Sequence, residues 1–361
     1  MKTIKVKLGK RSYNILIGQG IINNTGKIIS KLNIGKDAFI ITNKQIKQLY
    51  GDSIAKSLKE NGFNFRFELI ADSEKSKSLE NAHRLIKNLA LFARKKKVFI
   101  IALGGGVVGD LSGFIAAIFK RGIPYIQIPT TLLAQVDSAI GGKTAVDLNE
   151  GKNLVGAFYQ PKAVISDTKI LNSLTMRQIR SGLAEVIKYA IIKDKKMFSY
   201  LEKNLTSLLN LKPSNIEHIV AVSSKIKAEI VEKDEKEESG LRAILNFGHT
   251  IGHAIETASN YNYYNHGEAV ALGILTASSI SSKLGLINTT TSQRIQKLIQ
   301  LSGLPTKIKH AKLNKIIYAH YFDKKFSGAK NKFILIEDIG RVKIKEDLPL
   351  EIIKEAVKER L

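Results

Sequence analysis

Val98-Phe99-Ile100-Ile101-Ala102-Leu103-Gly104-Gly105-Gly106-Val107-Val108-Gly109-Asp110 is the stretch whose reading decides the first half of the chain. An apolar, strand-like run enters a glycine turn, and a helical pattern follows. Gly104, Gly106 and Gly109 satisfy G-x-G-x-x-G in that setting. Glycines there let the backbone approach a pyrophosphate, which then sits at a helix N-terminus. One part of the usual dinucleotide fingerprint is missing: no Asp or Glu lies about 20 residues further on, where a ribose partner is expected. An earlier strand, at 37–42, ends at Asn43.

Working outward, strands are expected at 2–8, 12–18, 37–42, 64–70, 97–103, 124–128 and 162–166, with helical patterns such as 79–94 and 109–120 between them. That alternation predicts an α/β layer with a mainly parallel sheet. After Asp167 the pattern changes. Segments 175–193, 196–209, 214–233, 241–259, 266–284, 290–302 and 311–320 read as helices, and Asn331–Ile336 as a strand or extended return. One boundary is expected near residue 170, giving domains 1–170 and 171–361.

The 361 residues suffice for two domains, and a hydrophobic fraction of 44% is that of an ordinary globular protein. No run reaches the roughly 18 apolar residues of a membrane span. Met1–Lys7 alternates apolar and charged residues like an edge strand and lacks a signal peptide's apolar core, so a cytoplasmic location is expected. The absence of cysteine excludes disulfides, thiolate metal sites and a Cys nucleophile. The net charge of +25 raises nucleic-acid binding as a competing class. Against it, the cations are spread along the chain, as in Arg94-Lys95-Lys96-Lys97, with no interleaved aromatics to stack on bases.

Pro129–Asp147 interleaves hydroxyls, a carboxylate, glycines and Lys143 with small apolar residues. Such a run can wrap an anionic or polyhydroxylated ligand, with Gly141-Gly142 N–H groups forming a concavity. It is not a P-loop, because Asp137 stands where the first glycine is required. Gly151–Phe158 is expected to continue this polar loop. In Leu245–Glu256, His249 and His253 lie four residues apart, one helical turn, and His266-Gly267-Glu268 follows. Two His plus one more ligand is the usual count for a catalytic divalent metal, and Glu185 is the natural oxygen donor. Spacing leaves open which two histidines bind and which one moves a proton. Lys188, Lys227, Arg242 and Asn246 would set cations and an amide beside that metal, suiting a substrate with carboxylate and phosphate.

Together these segments closely resemble the 3-dehydroquinate synthases. The matches are Gly104–Asp110, Pro129–Asp147, Gly151–Phe158, Ser181–Tyr189, Leu241–Glu256 and His266–Gly273, in the family's order, with weaker ones at Glu74–Lys77 and Asp323–Lys325. The resemblance implies an α/β Rossmann-like nucleotide-binding domain and an all-α metal-binding domain, with the active site in the cleft between. It implies conversion of 3-deoxy-D-arabino-heptulosonate 7-phosphate to 3-dehydroquinate and phosphate, by transient oxidation with NAD, elimination, re-reduction and aldol closure. A sister sugar-phosphate cyclase, such as 2-deoxy-scyllo-inosose synthase, is the alternative.

By the same resemblance Glu185, His249 and His266 match the ligands of zinc or cobalt, and His253 the proton-relay histidine. Asp137, Lys143, Lys152, Asn153 and Lys188 match substrate-contacting positions, as do Lys227, Arg242, Asn246 and Lys324. Arg121 matches a residue that reaches the neighbouring subunit's substrate, which implies a homodimer. For NAD the matches are Asn43, Glu74, Lys77, Gly105, Gly106, Val107 and Asp110, then Thr130, Thr131, Lys143, Lys152 and Ser173. Departures are Ala139 and Ser173, where Ser and Thr are common, with Asp147 for Asn and Thr175 for Pro.

Overall fold

The structure, a computed structural model, describes residues 1–327 and 331–361, and the side chains of all of these except 322–327. In chain order the first elements are β1 (Lys2–Val6), β2 (Tyr13–Gly18), α1 (Thr25–Ser30), β3 (Asp37–Asn43), α2 (Lys44–Glu60), β4 (Asn64–Ile70) and α3 (Leu79–Phe92). There follow β5 (Val98–Gly104), α4 (Gly106–Ile118), β6 (Tyr125–Pro129), β7 (Lys143–Leu148), β8 (Gly151–Phe158) and β9 (Ala163–Asp167). The later elements are α5 (Met176–Lys193), α6 (Lys195–Leu209), α7 (Pro213–Lys233), α8 (His249–Ala258), α9 (His266–Lys283), α10 (Thr289–Leu301), α11 (Leu313–Ser327), β10 (Lys332–Asp338), β11 (Arg341–Glu346) and α12 (Leu350–Lys358).

Seven strands make one sheet in the order β1-β2-β9-β6-β5-β3-β4. Only the β1–β2 pair is antiparallel. Strands β5, β6 and β9 are buried at every position, as a sheet covered on both faces requires. Along β5 the faces alternate: Ile100 and Ala102 join a core with Leu85 of α3 and Leu111 of α4, while Ile101 and Leu103 join another with Ile54 and Leu58 of α2. The chain runs from β3 outward to β4 and returns to place β5 on the other side of β3. That reversal is a switch point, where open α/β sheets bind ligands beyond the strands' carboxyl ends. Asn43 ends β3 and Gly104 ends β5, so both stand there.

Two compact units result, Met1–Leu174 with Ile216–Lys236, and Thr175–Asn215 with Glu237–Leu361. The chain thus changes unit more often than the one boundary expected near residue 170. The physical reason is a set of long-range bonds that stitch the end of α7 into the first unit. Ser224 donates to the Gln135 carbonyl at 3.3 Å, Gln160 donates to Glu235 at 3.0 Å, Arg11 donates to Glu235 at 2.6 Å, and the Lys7 N–H donates to Glu232 at 2.8 Å.

Two other expectations are corrected. The polar loop expected over 130–158 is instead a π-helical turn at Ala134–Ser138 followed by an antiparallel hairpin, β7 with β8. Gly156 makes that pairing close: a Cβ there would lie 2.2 Å from the Thr144 carbonyl oxygen. The helix expected over 241–259 is broken, with a 3-10 turn at Leu241–Asn246 and α8 beginning only at His249. Gly248 breaks it, with φ +79° and room for no side chain, since a Cβ would lie 2.7 Å from Ile274. Arg242 therefore lies in the 3-10 turn and not on the helix that carries His249. The strand expected over 331–336 is present as β10, which pairs with β11, and α12 follows. In this second unit α5, α8, α10 and α12 pack around the buried α9.

Candidate metal centre and nucleotide turn

In the second unit Glu185 lies mid-α5 and is fully buried. His249 is the first residue of α8 and His266 the first of α9. Two backbone contacts bring these three elements into register. A Cβ on Gly267 would lie 2.2 Å from the Ser181 carbonyl oxygen of α5, and one on Gly273 would lie 1.8 Å from that of Gly248, just before α8. The Gly267 N–H donates to the Ser181 hydroxyl at 3.2 Å. Arg177 of α5 also grips α9, donating to both Glu268 oxygens at 2.7 Å and to the Tyr263 carbonyl at 2.8 Å. Glu268 in turn completes a capping box with Asn265 that starts α9 at His266.

The result is a compact donor set. His266 Nε2 lies 3.3 Å and His249 Nε2 3.5 Å from the same Glu185 oxygen. A tetrahedral ion held at about 2.0–2.1 Å separates its ligand atoms by about 3.3–3.4 Å, close to these two separations, and the three donor atoms all lie within 4.8 Å of one another. His249 Nδ1 is 3.1 Å from the Phe247 carbonyl, which places its proton there and turns the Nε2 lone pair toward Glu185. Burial pushes the His249 ring down to about 3, with Lys188 adding to the effect. Burial also disfavours charge on His266, but the carboxylates of Glu185 and Glu256 on either side of it outweigh that and raise it to about 10. A bound cation would displace that proton, since metal binding and ring protonation compete for one lone pair.

Around this set, Lys188 pairs with Glu185 and is 1% exposed. Arg242 is equally buried, and its Nε lies 3.5 Å from Glu237. Asn246 closes the 3-10 turn and is exposed, as is His253. The rings of His249 and His253 meet edge-on at 5.3 Å. Spacing left open which two histidines act together; the structure sets the Nε2 atoms of His249 and His266 near one oxygen of Glu185. Lys324 lies outside the residues whose side chains the structure describes.

In the first unit the glycine turn caps α4, with Gly105 as N-cap. A Cβ on Gly105 would lie 3.3 Å from Thr131, one on Gly106 would lie 3.2 Å from Ser138, and one on Gly109 would lie 2.8 Å from Gln127 of β6. The turn is thus packed against the segment after β6, leaving its N–H groups at a helix start. Lys77 is buried and donates to Asp110 at 2.6 Å and to Asn153. Burial would lower the Lys77 ammonium, but Asp110 outweighs it and the group is held above its ordinary value. Lys227, which by sequence alone could be a surface charge, is buried and donates to the Asp137 carboxylate at 2.7 Å and to its carbonyl at 2.8 Å.

The Asn43 side chain accepts from the Ile46 N–H at 2.8 Å, capping α2. Ser173 accepts from the Tyr50 hydroxyl at 2.8 Å. Thr130 is buried, Val107 is partly buried, and Glu74, Lys143 and Lys152 are exposed. Arg121 lies past the opposite end of α4 from the glycine turn, in a left-handed turn with Lys120 at φ 49° and Arg121 at φ 63°. Thirteen helical residues separate the two ends, about 20 Å. Sequence reasoning missed Ser138 and Glu256. Glu256 was legible at seven residues after His249, on one face of α8.

An α/β unit with a glycine-rich nucleotide turn, in one chain with a helical unit bearing a carboxylate and two histidines, is the arrangement of the sugar-phosphate cyclases. A crystal structure of 2-deoxy-scyllo-inosose synthase superposes with a TM-score of 0.88 at 26% identity, covering 100% of both chains. The 2-epi-5-epi-valiolone synthase of Streptomyces hygroscopicus subsp. jinggangensis 5008, solved with NAD+ and Zn2+ bound, superposes with a TM-score of 0.89 at 25% identity over 98% of both. Within this class, the family model for the 3-dehydroquinate synthase N-terminal part matches residues 68–181, and that for its C-terminal part matches 182–326. The 3-dehydroquinate synthase of Desulforamulus reducens is 46% identical over 96% of this chain and 97% of its own. That of Thermoanaerobacter pseudethanolicus is 45% identical over 98% of this chain and 100% of its own. The chain belongs to the 3-dehydroquinate synthase family.

Proposed function

We propose that this chain converts 3-deoxy-D-arabino-heptulosonate 7-phosphate to 3-dehydroquinate and phosphate, as a carbon–oxygen lyase of the shikimate route. The observation that carries the reading is the gathering of Glu185, His249 and His266, with the two histidine Nε2 atoms 3.5 and 3.3 Å from one Glu185 oxygen, close to the edge of a metal tetrahedron. NAD supplies a transient oxidant and a divalent metal, zinc or cobalt, supplies Lewis acidity. The side chains do the rest. His253, exposed beside both ligand rings, carries the proton of the oxidised hydroxyl. Lys188, Arg242 and Asn246 hold the substrate's anionic groups, with Lys324 assigned to the same task. Lys143, Lys152, Asn153 and Lys227 are assigned to it as well, and Asp137, a carboxylate that accepts from Lys227, to the other substrate contacts.

For NAD, Gly105, Gly106 and Val107 would receive the pyrophosphate at the start of α4. Asn43, Glu74, Lys77, Asp110, Thr130, Thr131 and Ser173 would hold the rest of the cofactor. Arg121, about 20 Å along α4 from that turn, is suited to a neighbouring subunit's site, in a cytoplasmic homodimer. The buried Arg242 has a carboxylate neighbour in Glu237, so its burial does not discriminate between an acid and a non-acid substrate. What favours the synthase is 46% identity to one such enzyme against 26% to a 2-deoxy-scyllo-inosose synthase.

The test is incubation of metal-loaded protein with NAD and the heptulosonate phosphate. Release of phosphate and 3-dehydroquinate, abolished by a chelator and without net NADH, is expected. Turnover of another sugar phosphate alone would give the reaction to a sister cyclase.

A further inference from the structure

Glu256 has no part in the chemistry above, yet it is 6% exposed and stands at the metal cluster. On α8 it follows His249 by seven residues and His253 by three, so one helix face presents all three toward the start of α9. Its Oε2 lies 3.9 Å from His266 Nδ1, while His266 Nε2 lies 3.3 Å from Glu185 on the other side. Donor atoms of His253, Glu256 and His266 all fall within 4.8 Å of one another. The His266 ring is thus held between two buried carboxylates, one at each nitrogen.

Those two nitrogens have different tasks. Nε2 faces Glu185 and His249 and is the atom a cation would take. Nδ1 faces the Glu256 carboxylate at 3.9 Å, so once a cation takes Nε2 the remaining ring proton belongs on Nδ1. A carboxylate behind a ligating imidazole orients the ring and raises its donor strength. His249 receives the equivalent service from a neutral carbonyl, that of Phe247. Of the two rings, His266 is also the less enclosed, with 31% of its side chain exposed against 12% for His249. It therefore depends more on a partner to hold it.

We propose that Glu256 is a positioning residue of the metal centre, fixing the tautomer and orientation of His266 through Nδ1 and so setting both metal affinity and ligand field. The proposal rests on the reading of Glu185, His249 and His266 as the ligands.

The test compares the wild-type protein with Glu256→Gln and Glu256→Asp, each stripped and reloaded with Zn2+ against a competing chelator, and with Co2+ for its visible absorption. Gln fills the same space and loses the charge. Its affinity is expected to fall about 10- to 100-fold with a shifted cobalt spectrum and an unchanged apo-protein melting temperature. Asp keeps the charge on a shorter arm and should recover part of the affinity. Unchanged affinity and spectrum in Glu256→Gln would overturn the proposal. So would an affinity loss matched by a lowered apo melting temperature and no spectral shift, which marks a packing role. Failure of the wild-type protein itself to bind either metal would refute the ligand reading instead, so the two failures are distinguishable.

Discussion

At the scale of single residues, the division of labour among three histidines decides the chemistry. Helical periodicity puts His249 and His253 on one face, and by spacing alone either could be a ligand. Gly248 makes His249 the first residue of α8, with its Nδ1 proton turned to the Phe247 carbonyl and its Nε2 toward Glu185. We therefore expect His249→Ala to weaken metal binding by more than about 100-fold, beyond the cost of losing an outer partner. Activity should fall in parallel; full metal content in that variant would contradict the ligand role. His253→Ala should retain its metal and lower kcat by about 10²- to 10⁴-fold, the usual contribution of a positioned acid–base group. Metal loss in the second variant would return His253 to the ligand set.

Among elements, the proposed ligands are aligned by glycines at helix crossings. Gly267 lies against Ser181 and Gly273 against Gly248, each with backbone where a Cβ would be. Gly267→Ala and Gly273→Ala should each cost at least about 1–3 kcal/mol through overpacking and lower the bound metal as well. Gly51→Ala in α2 is the control: its nearest neighbour is the flexible Lys47 side chain at 3.1 Å, and it should be neutral or slightly stabilising. Urea midpoints and metal stoichiometry read both effects.

The return of α7 has its own signature. The hydrogen bond from Arg11, opposed by partial burial, holds the Glu235 carboxyl below its ordinary range. A depressed carboxyl adds stability above its unfolded value, about 4.3, and loses it as pH falls through the folded value. Glu235→Gln should therefore flatten the acid side of the stability profile below about pH 5 and leave the profile near neutrality parallel to wild type. An unchanged acid slope would show that this clasp contributes nothing.

On the scale of the whole molecule, the charge of +25 is the feature that composition alone leaves ambiguous. Many of these cations are exposed and engaged in surface pairs, such as Lys195 with Asp338 and Arg11 with Glu235. NAD at 100 times its dissociation constant should raise stability by about 2.7 kcal/mol, and a melting curve reads this directly. That shift should persist between roughly 50 and 200 mM salt, whereas binding to DNA would collapse over the same range. A shift lost with salt, together with selective DNA binding, would favour the nucleic-acid reading. Among the described residues no helix is long and apolar enough to cross a membrane.

What the sequence by itself determined is local. The apolar run into Gly104–Gly106 made β5 and α4, and all seven strands of the main sheet were legible because alternation, apolar runs and glycine punctuation are short-range signals. Glu185, His249 and His266 stood out in the sequence as candidate ligands, because so few residue types can hold a metal. The tertiary structure alone decided which atoms meet. It placed His266 and His249 on one oxygen of Glu185, gave Lys227 to Asp137, and turned an expected loop into β7 and β8. It also returned Ile216–Lys236 to the first unit. These outcomes depend on backbone approaches between residues tens of positions apart, and no periodicity within a single segment encodes them.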